Sequence, residues 1–471
     1  MRLEIEFPLP VEPVLKRLED SGHRAYLAGA CVRDWLLGDV PEIWEILSSA
    51  LPGEIAGLFA GAGLGKFSIS AQGGAVGLKN RHYSCEIVSL SDGRREGKRD
   101  FMRCLAEELG GRDFTVNAMA YSLKDGLVDP FLGRADLENG TICCVGDPNR
   151  YFAGNGQAIL RAVRTAALLG FQPDARLLRA AIEHRETLAA VPADYVGGEL
   201  RQIFSGCGYG LARLVRQTQE LLLTILPELI PMVGFQQNNR YHVHDVWQHT
   251  LAALEAAGCD EIVRFAVLFH DIGKPYCYTE DGDGTGHFYG HGAVSANITD
   301  QVLGRLGFDG EIRAKITELV KYHDVDFKES HRSMRRWLNR LGPEQMRRLL
   351  EVRRCDICGQ NPQLIRERTE KISRYASILE EVAAEDTHFR VRDLAVSGAD
   401  LIKIGYTPGR GLGEALRRLA AMVEDGRLHN ERASLLEEAS RQLVVDTNIR
   451  SWYDKNNSRT NVRITGGAAD E

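Results

Sequence analysis

A run rich in histidine and aspartate, Tyr241-His242-Val243-His244-Asp245-Val246-Trp247-Gln248-His249, precedes an apolar stretch ending in Phe269-His270-Asp271-Ile272-Gly273-Lys274. Eight of the thirteen histidines lie between His242 and His331. A neutral imidazole beside an ionised carboxylate, as at His270-Asp271, is a good donor pair for a divalent cation. His249 upstream, and His291, His323 and Asp356 downstream, extend the set. The chemistry open to such a centre is metal-assisted attack by a bound water. A cation with open coordination positions binds a phosphate oxygen and lowers the pKa of its water towards neutrality. Lys274, four residues past His270, is placed to neutralise charge growing on phosphoryl oxygens. For His323 the competing reading is an ordinary polar helix position. For His242, His244 and His287 nothing in the sequence fixes a direction.

These residues need helices to hold them. The pattern puts His249 on a helix starting near Asp245, His270 and Asp271 at the end of the helix Ile262 to Phe269, and Asp356 on a later one. From Ala153 to about Glu228 the chain is again helical, with Ile159, Leu160, Val163, Ala166 and Leu169 on one face. The first stretch, to about Asp147, alternates short apolar segments with glycine-rich turns. There Ala25 to Ala28 and Tyr83 to Val88 read as strands, and Val32 to Leu37 as a helix opened by Gly29. A last helical part runs to about Asn448, and the tail from Asn456 has a disordered composition. The expected fold class is therefore α+β. A mixed-sheet head spans 1–150, a helical neck 151–228, a metal-binding domain 229–385, a C-terminal helical segment 386–450, and a tail 451–471.

Composition narrows the class of protein. At 471 residues and 44% apolar content, the chain can bury several cores. No cationic leader with an apolar stretch behind it opens the sequence, and no apolar run is long enough to span a bilayer. The expectation is a cytoplasmic protein without a membrane partner. Ten cysteines without a regular ladder fit reduced thiols, and Cys355-x-x-Cys358, lacking a second pair, reads as packing. A net charge of −7 argues against indiscriminate nucleic-acid binding. One basic cluster stands out, Arg332, Arg335, Arg336, Arg340, Arg347, Arg348, Arg353 and Arg354. It reads either as a solvated helix face or as phosphate contacts, with Arg335, Arg336 and Arg340 the RNA-binding candidates.

The N-terminal part resembles the head of tRNA nucleotidyltransferases (CCA-adding enzymes) and bacterial poly(A) polymerases. The matching pieces are Gly29-Ala30-Cys31-Val32-Arg33-Asp34-Trp35-Leu36-Leu37-Gly38 and Gly111-Arg112-Asp113-Phe114-Thr115-Val116-Asn117-Ala118-Met119-Ala120. Asp129-Pro130-Phe131-Leu132-Gly133-Arg134, Val145-Gly146-Asp147-Pro148 and Ile159-Leu160-Arg161-Ala162-Val163-Arg164 follow in family order. The middle resembles an HD phosphohydrolase domain, and Asp393 through Gly409 the family's last helical segment. The resemblance implies a nucleotidyltransferase-like head on tRNA or another RNA 3′ end, with nucleotides as co-substrates. It also implies an HD tetrad of His249, His270, Asp271 and Asp356 holding a divalent ion, whether Mg, Mn, Ni or Zn, with His291 and His323 as candidates for a second ion as in bimetallic members of that superfamily.

Departures from the family pattern are concentrated in the head. Family heads hold two magnesium ions on an Asp-x-Asp pair, and the aligned residues here are Glu42-Ile43-Trp44-Glu45-Ile46. Ile43 offers no ligand, and Glu45 reaches about an ångström further in chemistry sensitive to that scale. Glu86 keeps the position of a third strand carboxylate. The family's Arg-Arg-Asp becomes Gly111-Arg112-Asp113, and its base-reading Glu-Asp-x-x-Arg becomes Gly154-Asn155-Gly156-Gln157-Ala158. On this reading the set Gly29, Arg33, Asp34, Glu45, Glu86, Arg112 and Asp113 is a degenerate transferase site. The leading expectation is then a metal-dependent phosphohydrolase acting on RNA 3′ ends or nucleotides, with His270, Asp271 and Lys274 catalytic. An active CCA- or A-adding enzyme and a non-catalytic RNA-binding protein are the alternatives.

Overall fold

The computed structural model describes residues 9–69, 75–90, 101–206, 210–384, 391–424 and 427–443. The expected tail, and the end of the last helical part, lie outside the described residues. The chain forms two compact units, Met1–Val325 with Arg348–Thr369, and Asp326–Arg347 with Glu370–Glu471.

The head is a seven-stranded mixed sheet. Its strands are β1 (Ala25–Ala28), β2 (Trp44–Ser48), β3 (Lys66–Ile69), β4 (Ala75–Lys79), β5 (Ser84–Ser89), β6 (Ala120–Ser122) and β7 (Gly126–Val128), in the order β3-β4-β5-β2-β1-β6-β7. All four residues of β1 are buried, as suits a strand covered on both faces near the middle of a sheet. The pair β2–β5 is parallel and the other neighbours are antiparallel. Register places Glu45 of β2 directly beside Glu86 of β5. Gly29, at φ +79, turns the chain from β1 into the helix Ala30–Leu37, a conformation that costs glycine little.

The helix Gly156–Leu169 follows the head and buries Ile159, Leu160, Ala162 and Ala166. Further on, Arg264 is buried, and its Nη1 donates to the carbonyls of Phe204 and Gly206 at 2.8 and 2.6 Å. That contact caps the helix Ala193–Ser205 with a fixed cation and anchors the helix that ends at the metal ligands. In the second unit, Leu401, Leu419 and Leu435 form a small core with Val396 and Tyr406. Tyr375 closes another by donating its hydroxyl to the Phe327 carbonyl at 2.6 Å.

Candidate functional site

Helix ends deliver the metal-site residues. Asp245 caps Val246–Glu255 by accepting from the Gln248 amide at 2.7 Å, and His249 follows within the first turn, fully buried. Asp260 caps Glu261–Phe269, a helix buried from Ile262 to its end, so His270 and Asp271 are carried into the interior. Asp356 lies on Pro343–Cys358, His291 opens His291–Arg305, and His323 follows Gly310–Tyr322.

The donor atoms converge in two groups that share one carboxylate. His249 Nε2 lies 3.1 Å from His270 Nε2, 3.3 Å from Asp271 Oδ2 and 3.1 Å from Asp356 Oδ1. The other Asp271 oxygen lies 3.4 Å from His291 Nε2 and 3.6 Å from His323 Nε2, which are 3.1 Å apart. Such spacings are the edges of a coordination shell with bonds of about 2.1 Å. Each ring directs its second nitrogen at a main-chain carbonyl. The acceptors are Gly359 for His249, Val267 for His270, Phe288 for His291 and Val320 for His323, at 2.7 to 3.0 Å. As donors to carbonyls these Nδ1 atoms carry a proton, which turns each Nε2 inward, where it becomes a ligand once it is unprotonated.

Electrostatics favour a cation here. Asp271 is fully buried, and neither oxygen has a well-directed hydrogen bond, a costly state that a divalent ion would relieve. Burial alone would raise its pKa, but His270 and Lys274 hold it well below the usual carboxylate range. Burial likewise opposes charge on His270, yet Asp271 and Asp356 push it up to about 10. Without metal, protons and Lys274, 2.7 Å from Asp271 Oδ2, balance the carboxylates. The residues therefore fit a divalent ion, which His249, His270, Asp271 and Asp356 would hold, and Asp271, His291 and His323 could hold a second.

A cleft of about 740 Å³ opens over these groups, with Arg240, His242, Lys274, Tyr289, Lys321 and Arg368 among its walls. The structure gives His242 the direction that the sequence did not supply. Its ring stands edge-on to His249 at 4.8 Å, and its Nδ1 is buried without a hydrogen-bond partner. Burial, then Lys274 and His249, lower its pKa to about 2, so it faces the cleft as a neutral imidazole. The available signal was its place three residues before the capping Asp245, in the segment that folds back over the first helical turn. His323 is 2% exposed and aimed at the cluster, so the ordinary-helix reading fails for it. His287 instead pairs with Asp281 at 2.7 Å and stacks on Tyr289. Gln237, which takes a hydrogen bond from Lys274 at 2.7 Å, and Gly359 carried no signal in the sequence.

In the head, the motif residues form a connected polar chain. Asp113 accepts from Asn117 at 3.0 Å, Asn117 accepts from Arg33 at 2.7 Å, and Arg33 donates to Asp34 at 2.8 Å. Glu45 and Glu86 sit side by side, but Ile43 is 56% exposed and contributes no oxygen. Both Glu45 oxygens are held by Arg112. The set does not fit a pair of protein-held magnesium ions. Asn155, at the expected base-reading position, instead caps the helix Gly156–Leu169 through the Ala158 amide, and Ala158 is fully buried.

The arginine cluster divides between the two units. Arg347 forks onto Glu380, Arg348 pairs with Asp260, Arg353 donates to the Val325 carbonyl, and Arg354 binds Glu351 and the Ala256 carbonyl. Those four serve tertiary structure. Arg335, Arg336 and Arg340 lie on the helix His331–Leu341, Arg340 over the Trp337 ring. Cys355 is buried, and burial raises its thiol pKa, which makes it a packing group.

Fold and geometry thus define a nucleotidyltransferase-type head joined to an HD-type metal domain. Residues 25–143 match the poly A polymerase head domain and residues 240–380 the HD domain. The chain is similar over its head to the tRNA nucleotidyltransferase and poly(A) polymerase family, and over its middle to HD domains. It is 26% identical over 447 residues to a CCA-adding enzyme of Leuconostoc mesenteroides, covering 93% of this chain and 98% of that one. It is 29% identical over 417 residues to an A-adding tRNA nucleotidyltransferase of Deinococcus radiodurans, covering 84% and 90%. Its fold matches the crystal structure of the Bacillus stearothermophilus CCA-adding enzyme in complex with CTP, with a TM-score of 0.65 at 22% identity over 94% of this chain and all of that one.

These relatives overturn the expectation of a chain that is chiefly a phosphohydrolase on a lapsed transferase head. That expectation weighed single positions such as Ile43 and Ala158. The likeness to nucleotide-adding enzymes instead runs collinearly from the head to the last helices. In the head, the sheet and the Arg33–Asn117–Asp113 chain are assembled despite those substitutions. Among the described residues no helix is long and apolar enough to cross a membrane.

Proposed function

We propose that the chain is a tRNA nucleotidyltransferase that adds CMP, AMP or both to an RNA 3′ end, in a cytoplasmic setting. The observation that carries this reading is collinearity with nucleotide-adding relatives over 93% of the chain. In this reaction the RNA 3′-hydroxyl oxygen bonds to the α-phosphorus of the nucleoside triphosphate, and the bond to the departing pyrophosphate breaks. The Asp113–Asn117–Arg33–Asp34 chain ties the helix after β1 to the segment entering β6, and the exposed Glu86 gives the neighbouring sheet face negative charge. Arg335, Arg336 and Arg340 are the candidates for contact with the RNA backbone. The test is the purified chain with tRNA lacking its CCA end, labelled CTP or ATP, and Mg²⁺ or Mn²⁺. Extension by one to three nucleotides is expected, and no incorporation with either nucleotide refutes the reading.

One observation favours a second activity alongside transfer, the two histidine pairs sharing the buried Asp271. Their donor set suits Mn²⁺, Ni²⁺ or Zn²⁺ better than Mg²⁺, because imidazole nitrogen is a softer ligand than water or carboxylate oxygen. When bound, such an ion supplies hydroxide for hydrolysis of a phosphate ester. This chain's residues would hold the ion, exclude bulk water and present Lys274 and the neutral His242 to the ester. Asp271→Asn is expected to abolish hydrolysis of bis-p-nitrophenyl phosphate and to leave nucleotide incorporation intact. Unchanged hydrolysis in that variant counts against it.

A further inference from the structure

Glu45 and Glu86 are register partners on the parallel pair β2–β5, so their side chains leave the same face of the sheet. Arg112 reaches that face from just beyond the helix Phe101–Gly110. Its Nη1 lies 3.0 Å from Glu45 Oε2 and its Nη2 2.5 Å from Oε1, a two-bond fork, and Nη2 is also 3.2 Å from Glu108. A fork of this kind puts a full positive charge on the line bisecting the carboxylate, where a chelated ion would sit. Guanidinium does not deprotonate in proteins, so the charge is permanent.

The surroundings are shaped to the pair. A Cβ on Gly29 would stand 3.0 Å from Glu45 Oε2 and 3.1 Å from Arg112 Nη1, so the bare glycine backbone forms one wall of the ion pair. The side chains of Arg112 and Glu45 are 22% and 30% exposed, which limits screening of the charge by solvent. Ile43 leaves Glu45 and Glu86 as the neighbouring strand carboxylates on this face, and only Glu86 is exposed there.

We propose that Arg112 is the fixed cation of the head, occupying at Glu45 the place of a protein-held divalent ion. Resting on the transferase reading, this makes Arg112 a positioning residue. It holds Glu45 rigid and neutralised beside Glu86, and a divalent ion reaches the head as the counterion of the incoming triphosphate. Seating an ion on Glu45 would require the fork to open.

The test counts bound Mn²⁺ on the full chain by electron paramagnetic resonance, as a difference between variants, so ions on the HD residues cancel. Glu45→Gln is expected to leave the count unchanged. Arg112→Gln is expected to add one ion per chain, and adding Glu45→Gln to that variant to remove it. Arg112→Lys, which keeps the charge without the fork, should recover at most part of the exclusion. Loss of an ion on Glu45→Gln with Arg112 in place overturns the proposal, as does an unchanged count in a folded Arg112→Gln protein. If Arg112→Gln fails to fold, the Glu45→Gln comparison still decides. The count needs no nucleotide, so it stands apart from the incorporation assay that tests the transferase reading.

Discussion

His249 Nδ1 lies 3.0 Å from the carbonyl oxygen of Gly359, across 110 residues of chain. The contact brings the end of one helix against the first turn of another and sets the rotation of the His249 ring. Gly359 has no room for a side chain. A Cβ there would lie 2.7 Å from the His249 carbonyl and 2.9 Å from its Nδ1. Gly359→Ala must therefore move backbone, and overpacking of this kind costs about 1–3 kcal/mol. The expected outcome is a folded protein with a lower melting temperature and metal affinity weakened about tenfold or more, as for lost outer-shell support. Calorimetric titration with Mn²⁺ checks it, and unchanged affinity would show that the carbonyl does not orient the ligand.

Metal affinity should rise with pH. In the metal-free site burial opposes protonation, but Asp271 and Asp356 raise His270 to about 10. The metal needs the Nε2 lone pair, so binding near neutrality expels that proton. Affinity should climb about tenfold per pH unit for each proton released, up to the folded pKa. The stability of the metal-free chain runs the other way. A raised folded pKa contributes stability that is fully present below the unfolded value near 6.5, and that is lost as pH rises through about 10. Titrations in buffers of different ionisation enthalpy measure the proton count, and a pH-independent affinity between pH 6 and 9 contradicts the assignment.

Chelation should destabilise the first compact unit selectively. A ligand that binds only the folded state adds about 2.7 kcal/mol when present at a hundredfold excess over its Kd. Removing the ion with EDTA should therefore lower the melting transition by several degrees, and readdition of Mn²⁺ should restore it. The same treatment of Asp271→Asn should give no shift. A wild-type transition indifferent to chelator would leave the buried carboxylates without the ion that their geometry fits.

The parts legible in the sequence are those set by short-range rules. Periodicity and capping signals locate the helix Val246–Glu255 after Asp245, and the run from Ile262 to Phe269 is apolar but for Arg264 because the helix is buried all round. The strand Ala25–Ala28 was legible for the same reason. Long-range closure was not. Nothing in the one-dimensional pattern shows that the Gly359 carbonyl would meet His249, that His242 would fold over the ligands, or that Arg112 would close on Glu45. The arginine cluster misled in part because spacing on a helix cannot distinguish a charge facing solvent from one tied to Glu380 or Asp260. Function was hardest to read, because a substitution such as Ile43 shows what a position has lost and not what its neighbours supply.

Asn117 offers the most direct test of the head. Its amide accepts from Arg33 and donates to Asp113, so it links the helix Ala30–Leu37 to the segment entering β6 through these charges. Asn117→Ala removes both bonds and leaves Arg33 paired with Asp34 alone. The polar atoms are only partly buried, so each lost bond costs about 1 kcal/mol and the fold should survive. Transfer geometry is less tolerant, since a displacement of about an ångström can cost about a hundredfold in rate. Nucleotide incorporation should therefore fall by one to two orders of magnitude in kcat with a smaller change in the KM for tRNA. Asn117→Asp should not rescue it, because that carboxylate would face Asp113 with like charge. Single-turnover incorporation with labelled CTP and ATP resolves the two effects. A rate in Asn117→Ala equal to wild type would show that the Arg33–Asp113 connection holds the fold together and takes no part in positioning the reactants.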